Sequence, residues 1–355
     1  MIKPVYIQAA RAMTAQDTFL TNAVPDGIRT SDNHILFYHE PDYLQYLGVM
    51  QLRRMSRITK VGMVTAIQCL ADAGITQPQA IITGTGKGSL TDTEKFLKSI
   101  TEFKETALNP TPFIQSTYNA LNGMIALHHN SHGYNTTYVH RGFSLENAVT
   151  DAMLLLNEGT VQNALAGSFE EITAEHFIPK QKLGYWKTEP INSGNLLQSA
   201  TAGSIAGEGT FFLALTADPG HAAAKLCGVQ MLHQPAPGEL AAALPRFLEQ
   251  YGVPVTAIDV LITGRNGDGR TAHYYDTVEA LLPASATLLA YKHLTGEFDT
   301  AAGFGLWSAY RIIDTQTLPA PMLVRAGASQ PVKNILVYNH YYGTHHAFYL
   351  LQSTR

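Results

Sequence analysis

The stretch YVHRGFSLENAVTDAMLLLNEG, from Tyr138 to Gly159, decides how this chain is read. It runs from a short β-like segment into a long apolar helix. The apolar positions of LENAVTDAMLLL surround the helix, as a buried helix requires. A strand feeding a buried helix in this way usually presents a reactive side chain at the turn. Here the turn is Arg141-Gly142-Phe143-Ser144, and it holds no obvious nucleophile.

Working outward, the same alternation recurs on both sides. Before it come a strand in PVYIQAARAM, a long helix in RRMSRITKVGMVTAIQCLADAGI that ends at Gly74, and a strand in AIITGTGKG. A single helix is expected over IQSTYNALNGMIALHHNSHG. After it come a buried strand in QNALAGSFEEI and a returning arm in SIAGEGTFFLALTA. From Ala222 the theme repeats: strand, helix, strand, helix, strand, the helix AAGFGLWSAYRII, and a closing hairpin in NILVYNHYYGTHHAFYLLQ. This is α/β alternation with buried strands. The similar order of elements predicts a duplication of structure, with halves at 1–221 and 222–355.

Composition narrows the function classes. Of 355 residues, 45% are hydrophobic and only 15% charged, so much surface must be buried in a core or an interface. The net charge is −4, and the densest basic cluster is Arg53-Arg54, which argues against nucleic acid. No stretch reaches the roughly 18 apolar residues of a membrane span, and no signal peptide is expected. Cys69 and Cys227 lie in apolar stretches and form no metal or disulfide pattern, which fits a reducing, cytoplasmic location.

Several motifs in order resemble the β-ketoacyl-acyl-carrier-protein synthases of the thiolase fold. They are RRMSRITKVGMVTAIQCLADAGI, TGTGKG, NALNGMIALHHNSHGYNTTYV, NALAGSFEE, IAGEGTFFLAL and KHLTGEFDTAAGFGL. The last matches the family's Lys-x-x-x-Gly-His-x-x-x-Ala-Ala-Gly block. The resemblance covers nearly the whole chain. It implies a five-layered α-β-α-β-α architecture, with core helices packed between two mixed sheets.

That family condenses acyl units with a cysteine at a helix N-terminus and two histidines. Carried over residue by residue, the cysteine position falls on Gly142. The first histidine falls on Asn266 in NGDGR, and the second on Glu297, while Lys292 is kept. The resemblance therefore implies a degenerate member without condensing activity, akin to a chain-length factor. Such a subunit pairs with an active ketosynthase and meets acyl carrier protein through that partner. Type II polyketide, aryl-polyene and flexirubin-like systems contain such pairs. The resemblance further places a tunnel wall on FIQSTYNALNGMIAL, with Phe113, Gln115, Tyr118 and Asn119 as gating candidates. No cofactor is implied.

Blander readings stand beside these. Gly142 is also an ordinary device between strand and helix. Lys292 and Glu297 read as a buried ion pair or as a relic acid site. A stand-alone enzyme would use Glu297 as general base and Asn266 as oxyanion donor. His128 and His132, four apart, share a helix face beside His129, but no carboxylate or cysteine completes a metal set. His345 and His346 are adjacent on a strand and point to opposite faces. GTGKGS, Gly84 to Ser89, fails the spacing of a phosphate loop.

Overall fold

The computed structural model describes residues 2–328 and 331–355. The first half of the chain supplies strands β1 (Val5–Met13), β2 (Ala80–Gly84), β3 (Tyr134–Tyr138), β4 (Asn163–Glu170) and β5 (Gly209–Thr216). Its main helices are α1 (Arg57–Asp72), α2 (Leu90–Glu102), α3 (Pro110–Ser116), α4 (Ala120–His128), α5 (Ser144–Asn157) and α6 (Ala174–Lys182). The second half supplies β6 (Ala224–His233), β7 (Val260–Thr263), β8 (Thr287–Ala290), β9 (Leu323–Arg325), β10 (Asn334–Tyr341) and β11 (His345–Ser353). Helices α7 (Glu239–Glu249), α8 (Ala272–Leu281), α9 (Lys292–Thr295) and α10 (Ala302–Thr315) connect them.

The two halves repeat one topology. The first orders its strands β3-β2-β4-β5-β1 and the second β8-β7-β10-β11-β6. In each, the first three strands of this order run parallel and the next is antiparallel to both neighbours, and the second half adds β9 antiparallel outside β8. The halves are not separate sheets, as the sequence reading expected. Val5, Tyr6 and Ile7 of β1 pair with Leu226, Lys225 and Ala224 of β6, giving one sheet of eleven strands. Each of these strands is the inner edge of its half, and edge pairing satisfies backbone groups that would otherwise be unmet.

Layering follows from the two-residue period of the strands. Ile82, Ala166 and Leu213 face inward, toward α5 and α10, while their neighbours Ile81, Leu165 and Phe212 face outward toward α1 and α4. In the second half Ile262 and Val337 face inward, and Leu261 and Leu336 meet α7 and α8 outside. The result is the expected five layers. Helix α5 is buried on most of its circumference, from Leu145 to Leu156, with Leu154 the exposed exception. Its first turn lies against the end of β2: a Cβ on Gly84 would sit 2.2 Å from the carbonyl carbon of Ser144. Only glycine permits that approach.

The sequence expected one helix across residues 114–133. The chain instead breaks between α3 and α4. Thr117 is extended, with ψ 135°, and caps α3. Asn130 then takes a left-handed φ of 51° and ends the helical run just beyond His128. Helices α2 and α6 were not anticipated from the sequence.

Candidate functional site

The turn between β3 and α5 is a short 3-10 segment, Arg141–Phe143, entered through Arg141 at a left-handed φ of 49°. Ser144 pins it: its Oγ accepts from the His140 N–H at 2.8 Å and donates to the Thr85 carbonyl at 3.0 Å. Gly142 is buried there. A Cβ at Gly142 would lie 2.4 Å from the Cβ of Tyr341 and 3.1 Å from that of His345. The end of β10 therefore fills the space into which a side chain at this turn would project.

Behind that hairpin lies a buried polar centre. The Lys292 ammonium donates to both oxygens of Glu297, at 2.9 and 2.7 Å, and to the His340 carbonyl at 3.3 Å. Asn266 Nδ2 donates to Glu297 Oε2 at 2.7 Å, and its Oδ1 accepts from the Asp268 N–H at 3.1 Å. All three side chains are buried. Burial pushes the Glu297 carboxyl up and the Lys292 ammonium down, and their mutual attraction opposes both shifts. Three donor bonds converge on the one carboxylate and offset part of its burial. Both Glu297 oxygens thus already accept bonds, and Asn266 commits one of its N–H groups to Glu297. The ion-pair reading of these residues holds; the general-base alternative finds no support in this geometry.

A second charged centre lies on the other side of Tyr341. Lys87, at the exit of β2, bonds Asp299. Burial opposes ionisation of Asp299, but Lys87 and Lys180 together hold it down to about 2. Glu170, at the end of β4, accepts from the Gly86 N–H, and burial with the Asp299 charge pushes it up to about 8. Two neighbouring carboxylates thus divide into one charged and one protonated group. Sequence reading missed this centre. Lys87 stood in a glycine-rich segment set aside for wrong spacing, and Asp299, Glu170 and Lys180 carry no local signal.

The four gating candidates separate. Phe113 is exposed and packs its ring 5.1 Å from that of Phe96. Tyr118 is exposed and lies over Gly88. Asn119 is exposed and caps α4 without a side-chain bond. Gln115 differs: it is buried, accepts from the Ser56 N–H at 3.0 Å and donates to the Arg54 carbonyl. It anchors the start of α1 and offers no free surface, because a buried amide must spend its hydrogen bonds on the protein.

The histidines also resolve. Helix α4 ends at His128, so His132 lies beyond it and the two do not share a helix face. His129 Nδ1 contacts the Thr76 carbonyl. His346 is buried, with Nδ1 2.8 Å from the Tyr338 hydroxyl and Nε2 3.1 Å from the Gly343 carbonyl. The carbonyl fixes the proton on Nε2, so Nδ1 accepts. His345 turns the other way, toward Phe143 and His233. Among the described residues no group of His, Cys, Asp and Glu is arranged to hold a metal ion, and no helix is long and apolar enough to cross a membrane.

A model of the β-ketoacyl synthase N-terminal domain matches residues 30–233, more than half of the chain. A search of the curated proteins finds no match. Among solved structures, the ishigamide ketosynthase/chain length factor aligns over 100% of both chains, with 16% identity and a TM-score of 0.81. A ketosynthase (ApeO) in complex with its chain length factor (ApeC) from Xenorhabdus doucetiae covers 99% of this chain and 98% of that one, with 16% identity and a TM-score of 0.79. AntDE:AntF, a type II PKS acyl-carrier protein in complex with its ketosynthase bound to the hexaketide, covers 99% of each chain, with 14% identity and a TM-score of 0.76. At these identities the likeness is one of fold.

Proposed function

The chain belongs to the β-ketoacyl synthase family, and from that membership we propose that it is a non-condensing, chain-length-factor-like subunit. It pairs with an active ketosynthase and meets acyl carrier protein through that partner. The products fall in the type II polyketide, aryl-polyene or flexirubin-like class. The observation that carries this reading is the contact of Tyr341 with Gly142, the residue that stands where the family keeps its cysteine. No thiol can form an acyl thioester there, and a side chain has no room to project. Cys69 and Cys227 offer no substitute: both are buried, and burial raises their thiols well above the usual range.

The surface supports a partner. Strand β3 is the outermost strand of the first half, so one of its edges has no strand neighbour within the chain. Beside it, Leu127 of α4 is 85% exposed, and Tyr134 and Val139 are exposed as well. Phe113, Ile114 and Tyr118 extend this apolar flank along α3 and its exit. Such a run beside an open strand edge suits a permanent subunit interface. Phe113 and Tyr118 are then placed to bound a chain held between subunits. Two ketosynthase/chain length factor structures with this fold favour the same assembly.

Co-expression with candidate ketosynthases, followed by reconstitution with acyl carrier protein and malonyl units, tests the proposal. The expected result is a stable heteromer that makes product only when the ketosynthase is present. Condensation by this chain alone overturns it.

A further inference from the structure

A cavity of about 530 Å³ opens between α6, the Lys87 segment and Tyr341. Its cationic lining is unbalanced. Lys87 is matched by Asp299, and Glu170 behind it stays protonated at neutral pH. That leaves Lys180 and Arg141, neither of which has an ion-pair partner among the described residues, and no carboxylate lines the cavity.

Lys180 is the unusual group. It is only 9% exposed, yet its ammonium makes no hydrogen bond to an acceptor and no ion pair among the described residues. Its surroundings are four rings, Tyr185, Trp186, Tyr341 and Tyr342, with centroids 5.4 to 5.8 Å away, the Asp299 carboxylate, which attracts it without forming an ion pair, and the like charge of Lys87. The other buried lysines of this protein are treated differently. Lys292 donates three bonds, and Lys187 donates to the Thr201 carbonyl, the Thr201 hydroxyl and the Gly267 carbonyl. Ring faces stabilise the charge of Lys180, but no acceptor of the protein takes its N–H donors.

One turn earlier on the same face of α6, His176 Nε2 is also buried without a partner. Burial and the nearby lysines push its ring down to about 4, so it is neutral and can donate one N–H. Two unpartnered polar groups four residues apart therefore line one cavity, and Arg141 lines it too. The rest of the wall includes Leu90, Leu183 and the rings of Tyr118 and Tyr185.

We infer that this cavity binds a small organic carboxylate with an apolar body, its carboxylate held by Lys180 and His176 with Arg141 at the mouth. A carboxylate has acceptor sites enough to satisfy both buried donors, and the apolar walls favour a short alkyl or aromatic tail. The burial that holds the Lys180 ammonium down to about 8 leaves it mostly charged at neutral pH. The polar groups of this site all belong to this chain, while Tyr118 of its wall is also a residue that the partner-subunit reading sets at the interface.

The full chain, alone or in whatever complex it purifies, is titrated with hexanoate, hexanamide and inorganic phosphate by calorimetry and thermal melting. Hexanoate is expected to bind and to raise the Tm, while the uncharged amide does neither. Lys180→Met should weaken hexanoate at least roughly tenfold and raise the Tm of the unliganded protein, because it removes an unmet buried charge. Equal binding of hexanoate and hexanamide by the wild type overturns the inference without any variant. So does a Lys180→Met protein that binds hexanoate as the wild type does. Phosphate binding as tightly as hexanoate overturns the apolar body.

Discussion

Gly142 carries the sharpest test at the residue scale. Gly142→Cys restores a thiol but sets its Cβ against Tyr341, at a cost of about 1–3 kcal/mol from overpacking. Intact-mass analysis with acyl-carrier protein charged with an acyl group should find no adduct on Arg141 to Ser144, in the wild type or in this variant. The Lys292–Glu297 pair makes a second test. Removing one partner, by Lys292→Met or Glu297→Gln, leaves the other buried and should cost roughly 3–5 kcal/mol in denaturant unfolding. Changing both should cost less than the sum. Glu146 makes a third. It is buried in the first turn of α5, and burial pushes its carboxyl up to about 7 from an ordinary 4.5. A raised folded value means its stabilising effect is complete below about 4.5 and is lost as pH rises toward 7. Stability should therefore fall across that window by up to about 3 kcal/mol. Glu146→Gln should flatten the slope in melts between pH 5 and 8.

At the element scale the break between α3 and α4 matters most. It leaves Phe113 and Tyr118 on the surface and sends Gln115 into the core. The three alanine variants should therefore part company. If the flank bounds a growing chain, Phe113→Ala and Tyr118→Ala should lengthen the product of the reconstituted pair by about one two-carbon unit, with little change in rate. Gln115→Ala should instead lower stability by roughly 1–3 kcal/mol, since it leaves the Arg54 carbonyl and the Ser56 N–H unmet. Product-length profiles together with melting curves separate these outcomes. Unchanged lengths for both aromatic variants in an intact complex would remove the tunnel assignment. The helix α5 and its strand β3 were readable in advance because their residue types agree with their burial. The break was not, because Thr117 and Asn119 interrupt a run that is otherwise periodic and carries no proline or glycine there.

For the whole molecule, duplication is the governing feature. We propose residues 221 and 222 as the junction of the halves. The matched strand orders give each half an inner edge, β1 or β6, and an outer one. The inner edges meet each other, while β3 stays open beside Leu127. Leu127→Asp lies on the open flank and touches no core, so it should leave the Tm within about 0.5 kcal/mol equivalent. It should nonetheless abolish co-purification with the ketosynthase, as read by size-exclusion chromatography. Retention of the complex would move the interface elsewhere.

Sequence alone determined the alternation of strands and helices, the repeat, the buried helix at Ser144, and the absence of a cysteine from the turn at Arg141 to Ser144. These are local facts, set by residue type and by periods of two and 3.6 along one chain. The pairing of Lys292 with Glu297 was also legible, because they stand five positions apart in one motif and a buried charge needs a partner. The tertiary structure decided the rest. It brought Tyr341 onto Gly142, joined β1 to β6, and gathered Lys87, Asp299 and the pair Glu170 and Lys180 from three distant stretches. Such contacts depend on how the β10–β11 hairpin and helix α6 pack against the first half. No single stretch of sequence records that packing, because the residues that meet are far apart along the chain and each is unremarkable among its own neighbours.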